Sequence, residues 1–447
     1  MRRTVYLETY GCQMNVADTE TILGHLATHG YEAVVEPADA DVILLNTCAI
    51  REHAEERVVG RLTDLARLKQ GRDDRLLGIC GCMAQHHRAA LTARVPALDL
   101  VVGPDAYRRL PEILAAAGGD PGAPVVDVRL DAGETYGDLA PARAEGSVRA
   151  WITVMRGCDK FCAFCVVPYV RGRERSLPAE VVLADVRRAA AAGTREVVFL
   201  GQTVNAYRDG RVDFAALLRR AAEVEGIDRI RFTSPHPADV TPELIAAMAT
   251  IDRIAPQMHL PVQSGSDSVL RAMERGYTVA AYRDLVDRVR AAVSGVALST
   301  DVIVGFPGES PADFEATCRL LEEVGFDQAY LYKYSRRSMT KAARWPDPIP
   351  AAEKGRRLAR IIDLQEAISA ARNRRWIGRT VEVLVEGPAR RPPGHVAGKT
   401  PQFTTAIVPG PAAPGTLVRA TVEAATAHTL LCSSLCSAPV RTAPAAP

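Results

Sequence analysis

The first 119 residues alternate short apolar runs with longer stretches whose apolar positions recur at helical spacing. The apolar runs cover residues 5–7, 42–45, 76–79 and 100–102, and the helical patterns cover residues 19–28 and 52–69. Apolar runs of this length predict buried strands, whereas a period of 3.6 residues predicts helices that pack on them. Alternation of the two is typical of a parallel sheet wrapped by helices. We therefore predict an N-terminal α/β domain over residues 1–119.

The alternation fades over residues 120–147 and then resumes. The end of this stretch is rich in Gly, Ala, Asp and Glu, which predicts a linker. Six further apolar runs follow at residues 150–154, 196–200, 229–232, 258–260, 298–304 and 328–332, with helical patterns between them, for example at 179–192 and 311–324. Six strand–helix units predict an incomplete (β/α)6 barrel, related to the eight-fold barrel, over residues 148–375.

Beyond residue 375 the period of the pattern changes to two residues. Alternating apolar and polar positions at residues 380–386, 418–425 and 428–431 predict strands, and Gly and Pro between them predict turns. We expect a small antiparallel β-barrel over residues 376–438. The Ala- and Pro-rich residues 439–447 predict a disordered tail.

Hydropathy and cysteine usage limit the cellular compartment. The longest apolar runs reach about eight residues, far short of the roughly 20 that span a bilayer. The N-terminus enters a strand without the apolar core of a signal peptide. We therefore expect a cytoplasmic protein with no membrane segment, and we expect the chain to act as a monomer. Ten cysteines in a cytoplasmic protein favour metal or redox chemistry over disulfides.

Charge is distributed unevenly along the chain. From residue 333 to the end there are 18 Lys and Arg against 7 Asp and Glu, although the net charge of the whole chain is only +2. A basic C-terminal quarter is typical of a protein that binds RNA or DNA, and a solvated charged surface is the alternative. Arg171, Arg173 and Arg175 add three guanidinium groups that could grip phosphates, with a surface salt-bridge cluster as the other interpretation.

Three cysteines lie close together in the barrel region. Cys158, Cys162 and Cys165 form a C-x3-C-x2-C run, and thiolates at this spacing suit three irons of a 4Fe-4S cluster. A closed zinc site needs a fourth ligand, and no Cys or His follows within the next twenty residues. Three ligands leave one iron open, which is the arrangement of radical S-adenosylmethionine enzymes. Three unrelated thiols on a loop are the alternative.

A second triplet is scattered along the N-terminal domain. Cys12, Cys48 and Cys82 each follow a predicted strand. The carboxyl ends of parallel strands meet at one edge of a sheet, where ligands bind. These thiols would then converge on a second three-thiolate site, with three core cysteines as the alternative. Cys80 lies at the end of the predicted strand that Cys82 follows, and we expect Cys80 to be buried in the core.

Sequence runs around both triplets, and further along the chain, resemble one known family. The runs are Tyr10-Gly11-Cys12-Gln13-Met14-Asn15, Asn46-Thr47-Cys48-Ala49-Ile50-Arg51-Glu52, Gly81-Cys82-Met83-Ala84-Gln85, Met155-Arg156-Gly157-Cys158-Asp159-Lys160-Phe161-Cys162, Leu200-Gly201-Gln202-Thr203-Val204-Asn205 and His259-Leu260-Pro261-Val262-Gln263-Ser264-Gly265. They are similar to the tRNA methylthiotransferases of the MiaB type, within the radical-SAM methylthiotransferases. The C-terminal β domain resembles the TRAM module, an RNA-binding barrel.

The resemblance implies two 4Fe-4S clusters and S-adenosyl-L-methionine as cofactors. It implies that Cys12, Cys48 and Cys82 hold an auxiliary cluster, and that the C-x3-C-x2-C run holds the radical-SAM cluster. The expected reaction adds a 2-methylthio group to isopentenyladenosine next to the anticodon of tRNA. It would use two S-adenosylmethionine molecules and a sulfur carried by the auxiliary cluster, so both clusters should face one cavity. A flavodoxin- or ferredoxin-like protein is expected to supply electrons.

Eight residues at strand ends are predicted to contact S-adenosylmethionine, because they fall at the catalytic face of the barrel. They are Gly201, Gln202, Gln263, Ser264, Gly305, Pro307, Gly308 and Glu309. The glycines of this set let the backbone approach an adenosine closely. Ordinary strand-end turns without a ligand are the alternative.

Two segments depart from the family pattern. Residues 336–341 replace a turn rich in Pro and Gly, and residues 399–403 replace an Arg-Thr-containing run. The departures concern contacts with the substrate rather than the cysteines. Two other functions stay open at this point: a methylthiotransferase with another target, and an iron–sulfur RNA-binding protein that has lost catalysis. The intact C-x3-C-x2-C run favours an enzyme.

Overall fold

The computed structural model describes residues 3–49, 52–72, 74–119 and 123–435. Within these ranges the chain forms a sheet wrapped by helices, then an open barrel of six parallel strands, then a small closed β-barrel. The architecture confirms the predicted α/β class with a C-terminal β-barrel. The predicted tail at residues 439–447 lies outside the described residues. Among the described helices, none is long and apolar enough to cross a bilayer.

The N-terminal domain is built around one six-stranded parallel sheet. Its strands are β1 (Arg3–Thr9), β2 (Tyr31–Ala33), β3 (Val42–Thr47), β4 (Leu76–Gly81), β5 (Leu100–Val102) and β6 (Val125–Asp127). Its helices are α1 (Gln13–Thr28), α2 (Glu52–Ala66), α3 (Cys82–His87), α4 (Ala90–Arg94) and α5 (Leu110–Gly119). The strand order is β2-β1-β3-β4-β5-β6, and the central strands β3 and β4 are buried along their whole length, as their continuous apolar runs predict.

Two differences from the sequence prediction have physical causes. Helix α1 begins at Gln13 rather than at residue 19, because Met14 and Ala17 pack against Val198 and Leu200 of the next domain. The sheet also continues beyond residue 119, since β6 pairs with β5 in parallel register inside the predicted linker. A three-residue strand with one buried residue carries too little pattern to be recognised from sequence.

The central domain is the incomplete (β/α)6 barrel that the sequence predicts. Its strands are β7 (Arg149–Thr153), β8 (Met155–Arg156), β9 (Arg175–Ser176), β10 (Glu196–Leu200), β11 (Arg208–Asp209), β12 (Val212–Asp213), β13 (Arg229–Phe232), β14 (Gln257–His259), β15 (Ala297–Val304) and β16 (Gln328–Lys333). Its helices are α6 (Val167–Arg171), α7 (Ala179–Ala191), α8 (Phe214–Ala222), α9 (Pro242–Thr250), α10 (Asp267–Ala272), α11 (Val279–Ala292), α12 (Pro311–Val324) and α13 (Ala351–Arg374).

The barrel consists of two parallel half-sheets. Strands β13-β10-β7 form one half and β14-β15-β16 the other, and a bridge between Ile230 and Ile254 joins them. Strands β7 and β16 are the outer edges of this arrangement, so the barrel is open on one side. Helix α1 packs beside β7 through Met14 and Trp151, which places the N-terminal domain next to the opening.

The C-terminal domain is a closed five-stranded barrel. Its strands are β17 (Thr380–Pro388), β18 (His395–Lys399), β19 (Thr405–Pro409), β20 (Leu417–Ala425) and β21 (Thr429–Leu435), in the order β17-β18-β19-β21-β20. The pairs are antiparallel as predicted, except that β19 and β21 run parallel where the barrel closes. The sequence pattern missed β18 and β19, because each has only two fully buried positions.

The C-terminal barrel closes the end of the central lumen at which the parallel strands begin. Arg229 and Arg231 donate to the carbonyl oxygens of Lys399 and Thr400 over 2.7 and 2.8 Å. Phe403 lies 4.9 Å from the Arg231 guanidinium, which also pairs with buried Glu196 over 2.7 Å. The opposite end of the lumen, where the strands finish, therefore remains available for a site.

Candidate functional site

All six cysteines of the two triplets line one cavity of about 260 Å³. The cavity lies where the barrel strands end, because Leu200 at the end of β10, Gly201 after it and Pro261 after β14 form part of its wall. Met14 of α1 closes it from the side of the N-terminal domain. Two sets of thiols that are far apart in sequence are thus brought to the same enclosed space.

The sheet edge of the N-terminal domain brings Cys12, Cys48 and Cys82 together. Cys12 is the residue before α1, Cys48 follows β3 directly, and Cys82 begins α3 directly after β4. Gly11 has a φ of 132°, and a Cβ on it would lie 2.5 Å from the Cβ of Cys48. Only glycine allows this approach of two strand-end loops. The parallel sheet therefore produces the convergence that the sequence predicts.

Arg171 supplies positive charge beside this triplet. Its Nε donates to the Cys82 Sγ over 3.1 Å. The hydrogen bond with Cys48, helped by the charge of Arg171, lowers the pKa of Cys12 to about 6. Burial raises the pKa of Cys82, although Arg171 acts in the opposite direction. A guanidinium at this distance favours thiolates, the form of cysteine that ligates metals.

The second triplet lies on a loop held by the barrel. Cys158 shares a hydrogen bond of 3.1 Å with the hydroxyl of Thr203, and Arg275 Nη1 donates to the Cys162 Sγ over 3.3 Å. Burial raises the pKa of Cys165 to about 12. Metal binding at such thiols releases protons, because a ligating cysteine must be a thiolate.

Strained backbone conformations gather around the cavity. Phe161 within the cysteine loop, Ser234 after β13 and Gln263 after β14 have positive φ values of 47°, 59° and 73°. Positive φ is costly for residues other than glycine and persists where the surroundings require it, often at functional sites. Ser234 and Gln263 both line the cavity. The strain therefore coincides with the site that the cysteines mark.

Three side chains of the cavity wall have a buried polar atom without a hydrogen-bond partner among the described residues. These atoms are Gln202 Oε1, His236 Nε2 and Arg171 Nη1. Burial, together with Arg275 and Lys160, lowers the pKa of His236 to about 2, so the ring is neutral. Its Nδ1 accepts from the Ala238 amide over 3.3 Å, which leaves the proton on Nε2. Unpaired donors and acceptors of this kind fit a polar ligand in the cavity.

The residues predicted to contact S-adenosylmethionine fall into two groups. Gly201, Gln202 and Gln263 line the cavity. Ser264 lies behind the wall, fully buried, 3.3 Å from the hydroxyl of Thr317.

The segment with Gly305, Pro307, Gly308 and Glu309 is not part of the described cavity wall. Glu309 is buried and pairs with Arg357 over 2.6 Å while it accepts from the Gly305 amide over 2.7 Å. Phe306 packs edge-on against Phe164 of the cysteine loop. In this structure the segment therefore supports that loop, and its contact with a cofactor stays a prediction.

The three arginines of residues 171–175 have different environments. Arg171 and Arg175 are buried, and they pair with Asp18 over 2.8 Å and with Asp105 over 2.9 Å. Asp18 and Asp105 belong to the N-terminal domain, so these pairs hold the two domains together. Arg173 has a side chain that is 67% exposed. Among the described residues, Arg173 forms an ion pair only with Asp159, a carboxylate that is itself exposed, so a phosphate contact stays a prediction for Arg173 and is not expected for the two buried arginines.

Several residues at the site escaped the sequence analysis. Thr203 and Arg275 contact ligand-type sulfurs 45 and 113 residues away, and no local pattern signals such contacts. The buried position of Asp18 could have been recognised from the sequence, since Asp18 lies with Met14 and Ala17 on the buried face of α1. A charged residue on the apolar face of a helix indicates a buried ion pair.

The other described cysteines pack in hydrophobic cores. Cys80 lies in the core of the N-terminal domain as expected, Cys318 in that of the central barrel and Cys432 in that of the C-terminal barrel. Burial raises the pKa of each of these thiols. They are therefore structural residues and useful controls.

A further group of ligand-type side chains lies outside the cavity, at the contact between α3 and residues 336–341. Glu55 approaches His87 Nε2 over 3.0 Å and His86 Nδ1 over 3.8 Å. Arg337 lies 3.4 Å from the same carboxylate. The Arg337 guanidinium already balances the charge of the Glu55 carboxylate. We therefore interpret these side chains as a contact between domains rather than as a cation site.

Three family models match the chain, one for each domain. Uncharacterized protein family UPF0004 matches residues 4–103, the Radical SAM superfamily matches residues 152–321 and the TRAM domain matches residues 374–433. The order of the matches is the order of the sheet, the open barrel and the closed barrel.

The chain is similar over almost its whole length to curated proteins of one name, tRNA-2-methylthio-N(6)-dimethylallyladenosine synthase. The protein of Chlorobium luteolum is 45% identical over 432 residues, which cover 96% of each chain. That of Thiobacillus denitrificans is 42% identical, with 96% of this chain and 97% of the relative covered. That of Moorella thermoacetica is also 42% identical, with 92% and 93% covered.

Solved structures share the fold at low sequence identity. The radical S-adenosylmethionine methyltransferase TsrM from Kitasatospora setae has a TM-score of 0.58 at 15% identity, with 77% of each chain covered. The cobalamin-dependent S-adenosylmethionine radical enzyme OxsB has a TM-score of 0.56 at 15% identity, with 76% of this chain and 54% of that chain covered. Likeness at this identity concerns the fold alone.

Proposed function

The chain belongs to the family of tRNA-2-methylthio-N(6)-dimethylallyladenosine synthases, and on that premise we propose that it adds a methylthio group to carbon 2 of dimethylallyladenosine next to the anticodon of tRNA. The observation that carries the proposal is the single cavity lined by both cysteine triplets. A reaction that replaces hydrogen by sulfur at carbon 2 needs a radical source and a sulfur source at one place. The cavity provides two three-thiolate sites on one wall-enclosed space.

The donor chemistry of the cavity fits two 4Fe-4S clusters. Cys158, Cys162 and Cys165 would hold the radical-SAM cluster, and the N-terminal triplet would hold the auxiliary cluster, each with one iron free of a protein ligand. When bound, these groups supply the electron for reductive cleavage of S-adenosylmethionine and the sulfur for the product. Buried arginines against Cys82 and Cys162 offset the negative charge of ligated thiolates.

The remaining wall residues would bind and orient the cofactor. Gly201 lies on the cavity wall and leaves room for Met155 behind it, since a Cβ there would lie 2.7 Å from the Met155 side chain. Gln202 Oε1 can accept and His236 Nε2 can donate, because neither has a partner among the described residues. With the cofactor and the substrate bound, the wall would exclude water, which protects a reactive intermediate from side reactions.

The proposal is tested by the product on RNA. Anaerobically reconstituted protein should convert dimethylallyladenosine in tRNA to its 2-methylthio derivative when S-adenosylmethionine and dithionite are supplied. Digestion and mass spectrometry of the nucleosides measure this, and tRNA without the dimethylallyl group is the matched control. Cofactor cleavage without product on any tRNA would point to another target. Bound iron without cofactor cleavage would contradict an enzymatic role.

Binding of the tRNA is assigned to exposed basic side chains, above all on the C-terminal barrel. Arg390 and Arg391 are exposed in the loop between β17 and β18, and Arg173 is exposed beside the cysteine loop. Such residues contact phosphates and make the affinity depend on salt.

Replacing Arg390 and Arg391 together by glutamine should weaken binding of an anticodon stem–loop RNA. Each lost phosphate contact reduces counterion release, so the slope of log affinity against log salt should fall by roughly 1.5. Fluorescence anisotropy at several salt concentrations measures both quantities. Arg319→Gln, an exposed arginine on α12, is the control and should change neither. An unchanged slope in the double variant would remove this loop from the RNA-binding surface.

We further propose that the chain acts as a monomer in the cytoplasm, where tRNA is located, with a flavodoxin- or ferredoxin-like electron donor. Reductive cleavage of S-adenosylmethionine consumes an electron, so a reductant is required, and a small redox protein of this kind is proposed for that role. Size-exclusion chromatography with light scattering tests the oligomeric state, and replacement of dithionite by candidate donors tests the reductant.

A further inference from the structure

A buried guanidinium joins the N-terminal cysteine triplet to the interface between domains. Arg171 is only 3% exposed. Its Nε donates to the Cys82 Sγ over 3.1 Å, and its Nη2 donates to the Asp18 carboxylate over 2.8 Å. Arg156 holds the other oxygen of that carboxylate over 2.6 Å. Asp18 therefore fixes Arg171 in one orientation against the sulfur.

The third nitrogen of this guanidinium has no partner in the described part of the chain. Arg171 Nη1 is buried and has no hydrogen-bond partner among the described residues, although Arg171 lines the cavity. A buried donor without a partner is costly, and for a charged group the cost is larger. The position is therefore suited to a ligand that accepts a hydrogen bond.

Arg275 at the other triplet is a natural comparison. It also donates to a ligand-type sulfur, that of Cys162, but its Nε donates to Tyr277 over 3.0 Å and its Nη2 to the Pro261 carbonyl over 2.8 Å. All three of its nitrogens have partners. Of the two arginines that donate to triplet sulfurs, Arg171 therefore differs in having a nitrogen without a hydrogen-bond partner among the described residues.

The local charge indicates what kind of ligand would fit. Two arginines, Arg156 and Arg171, share one carboxylate, Asp18, and all three side chains are buried. Their net positive charge lies against the thiols of the N-terminal triplet, whose thiolates offset it. Buried charge requires a negative partner, and a hydrogen bond from a guanidinium to an anion is stronger than one to a neutral group.

We propose that Arg171 is a positioning residue for an anionic sulfur ligand at the auxiliary site, to which its Nη1 donates while its Nε holds Cys82. The inference rests on the proposed function, since it needs the N-terminal triplet to hold a cluster with an open iron. Sulfide and methanethiolate are the simplest ligands of this chemistry. Hydrogen bonds and positive charge next to cluster sulfurs also raise the reduction potential.

The experiment uses the full chain with Cys158, Cys162 and Cys165 replaced by alanine, so that only the auxiliary site remains. Sodium methanethiolate is titrated into this protein and binding is followed by electron paramagnetic resonance, and the midpoint potential is measured in the same samples. Arg171→Gln should lower the affinity for methanethiolate about tenfold, as expected for one charge-assisted hydrogen bond, and shift the potential to more negative values. Arg156→Gln, which loses a pair with the other oxygen of Asp18 but keeps the contact of Arg171 with Cys82, should keep the affinity for methanethiolate.

The outcomes separate this inference from the proposed function. About four irons in the parent protein are required by the cluster assignment, and their absence would overturn that assignment and this inference together. With the iron present, equal affinity in Arg171→Gln and the parent would overturn this inference alone, as would an equal loss in Arg156→Gln. If Arg171→Gln fails to retain iron, Arg171→Lys keeps the charge beside Asp18. Full affinity in that variant would show that a positive charge suffices and would overturn the proposed role of the guanidinium Nη1, and reduced affinity with retained iron would support it.

Discussion

Replacing Cys158, Cys162 and Cys165 together by alanine should lower the iron content of the reconstituted protein from about eight to about four per chain and abolish cleavage of S-adenosylmethionine. Among the described residues the loop has no substitute thiol, since the other cysteines that line the cavity belong to the second triplet. Iron analysis and chromatographic detection of deoxyadenosine measure the two effects.

Cys318→Ala is the control for this experiment. The thiol lies in the core of the central barrel, so its loss should cost only about 1–2 kcal/mol of stability and leave the iron content unchanged. Full iron content in the triple variant would show that the loop does not hold a cluster.

Replacing Cys12, Cys48 and Cys82 together should separate the two halves of the reaction. The variant should retain about four irons and the cleavage of S-adenosylmethionine, because the loop of the central barrel is untouched. Formation of the methylthio product should fall below detection, since the proposed sulfur source is removed. Parallel assays of deoxyadenosine and of modified nucleoside measure both steps.

Cys80→Ala is the matched control, because it removes a thiol two positions from Cys82 that is buried in the core. It should keep the iron and the product and lose only stability. Normal methylthio product from the triple variant would refute the assignment of the sulfur source to this triplet.

The helices and strands that could be predicted from the sequence are those whose apolar and polar residues follow a clear local pattern. The observed β10 and β13 have the predicted limits, since β10 carries a run of apolar residues and β13 alternates arginine with apolar residues. The convergence of Cys12, Cys48 and Cys82 also followed from local information, because parallel strands of one sheet must end at the same edge.

The contacts around the cysteines could not be predicted in the same way. Arg171 was expected to face phosphates, yet its partners Asp18 and Cys82 lie 153 and 89 residues away in sequence. Whether an arginine faces solvent or a buried carboxylate depends on how two domains pack. No period or spacing in a single sequence indicates how domains pack. The parallel pairing of β19 with β21 could not be predicted for a related reason, since pairing between distant strands is set by the whole sheet.

The join between the two barrels has a consequence for experiments that divide the protein. Glu196 is fully buried between Arg149 and Arg231, and Phe403 of the C-terminal barrel covers both guanidinium groups. Truncation before residue 376 would expose this buried cluster of charged side chains to water. It would also remove the carbonyl partners of Arg231. Loss of RNA binding in a truncated chain would then report a damaged catalytic barrel as much as a missing module. A chimera with the C-terminal barrel of a relative would keep activity only if the Phe403 loop and the arginines beneath it were exchanged as one unit.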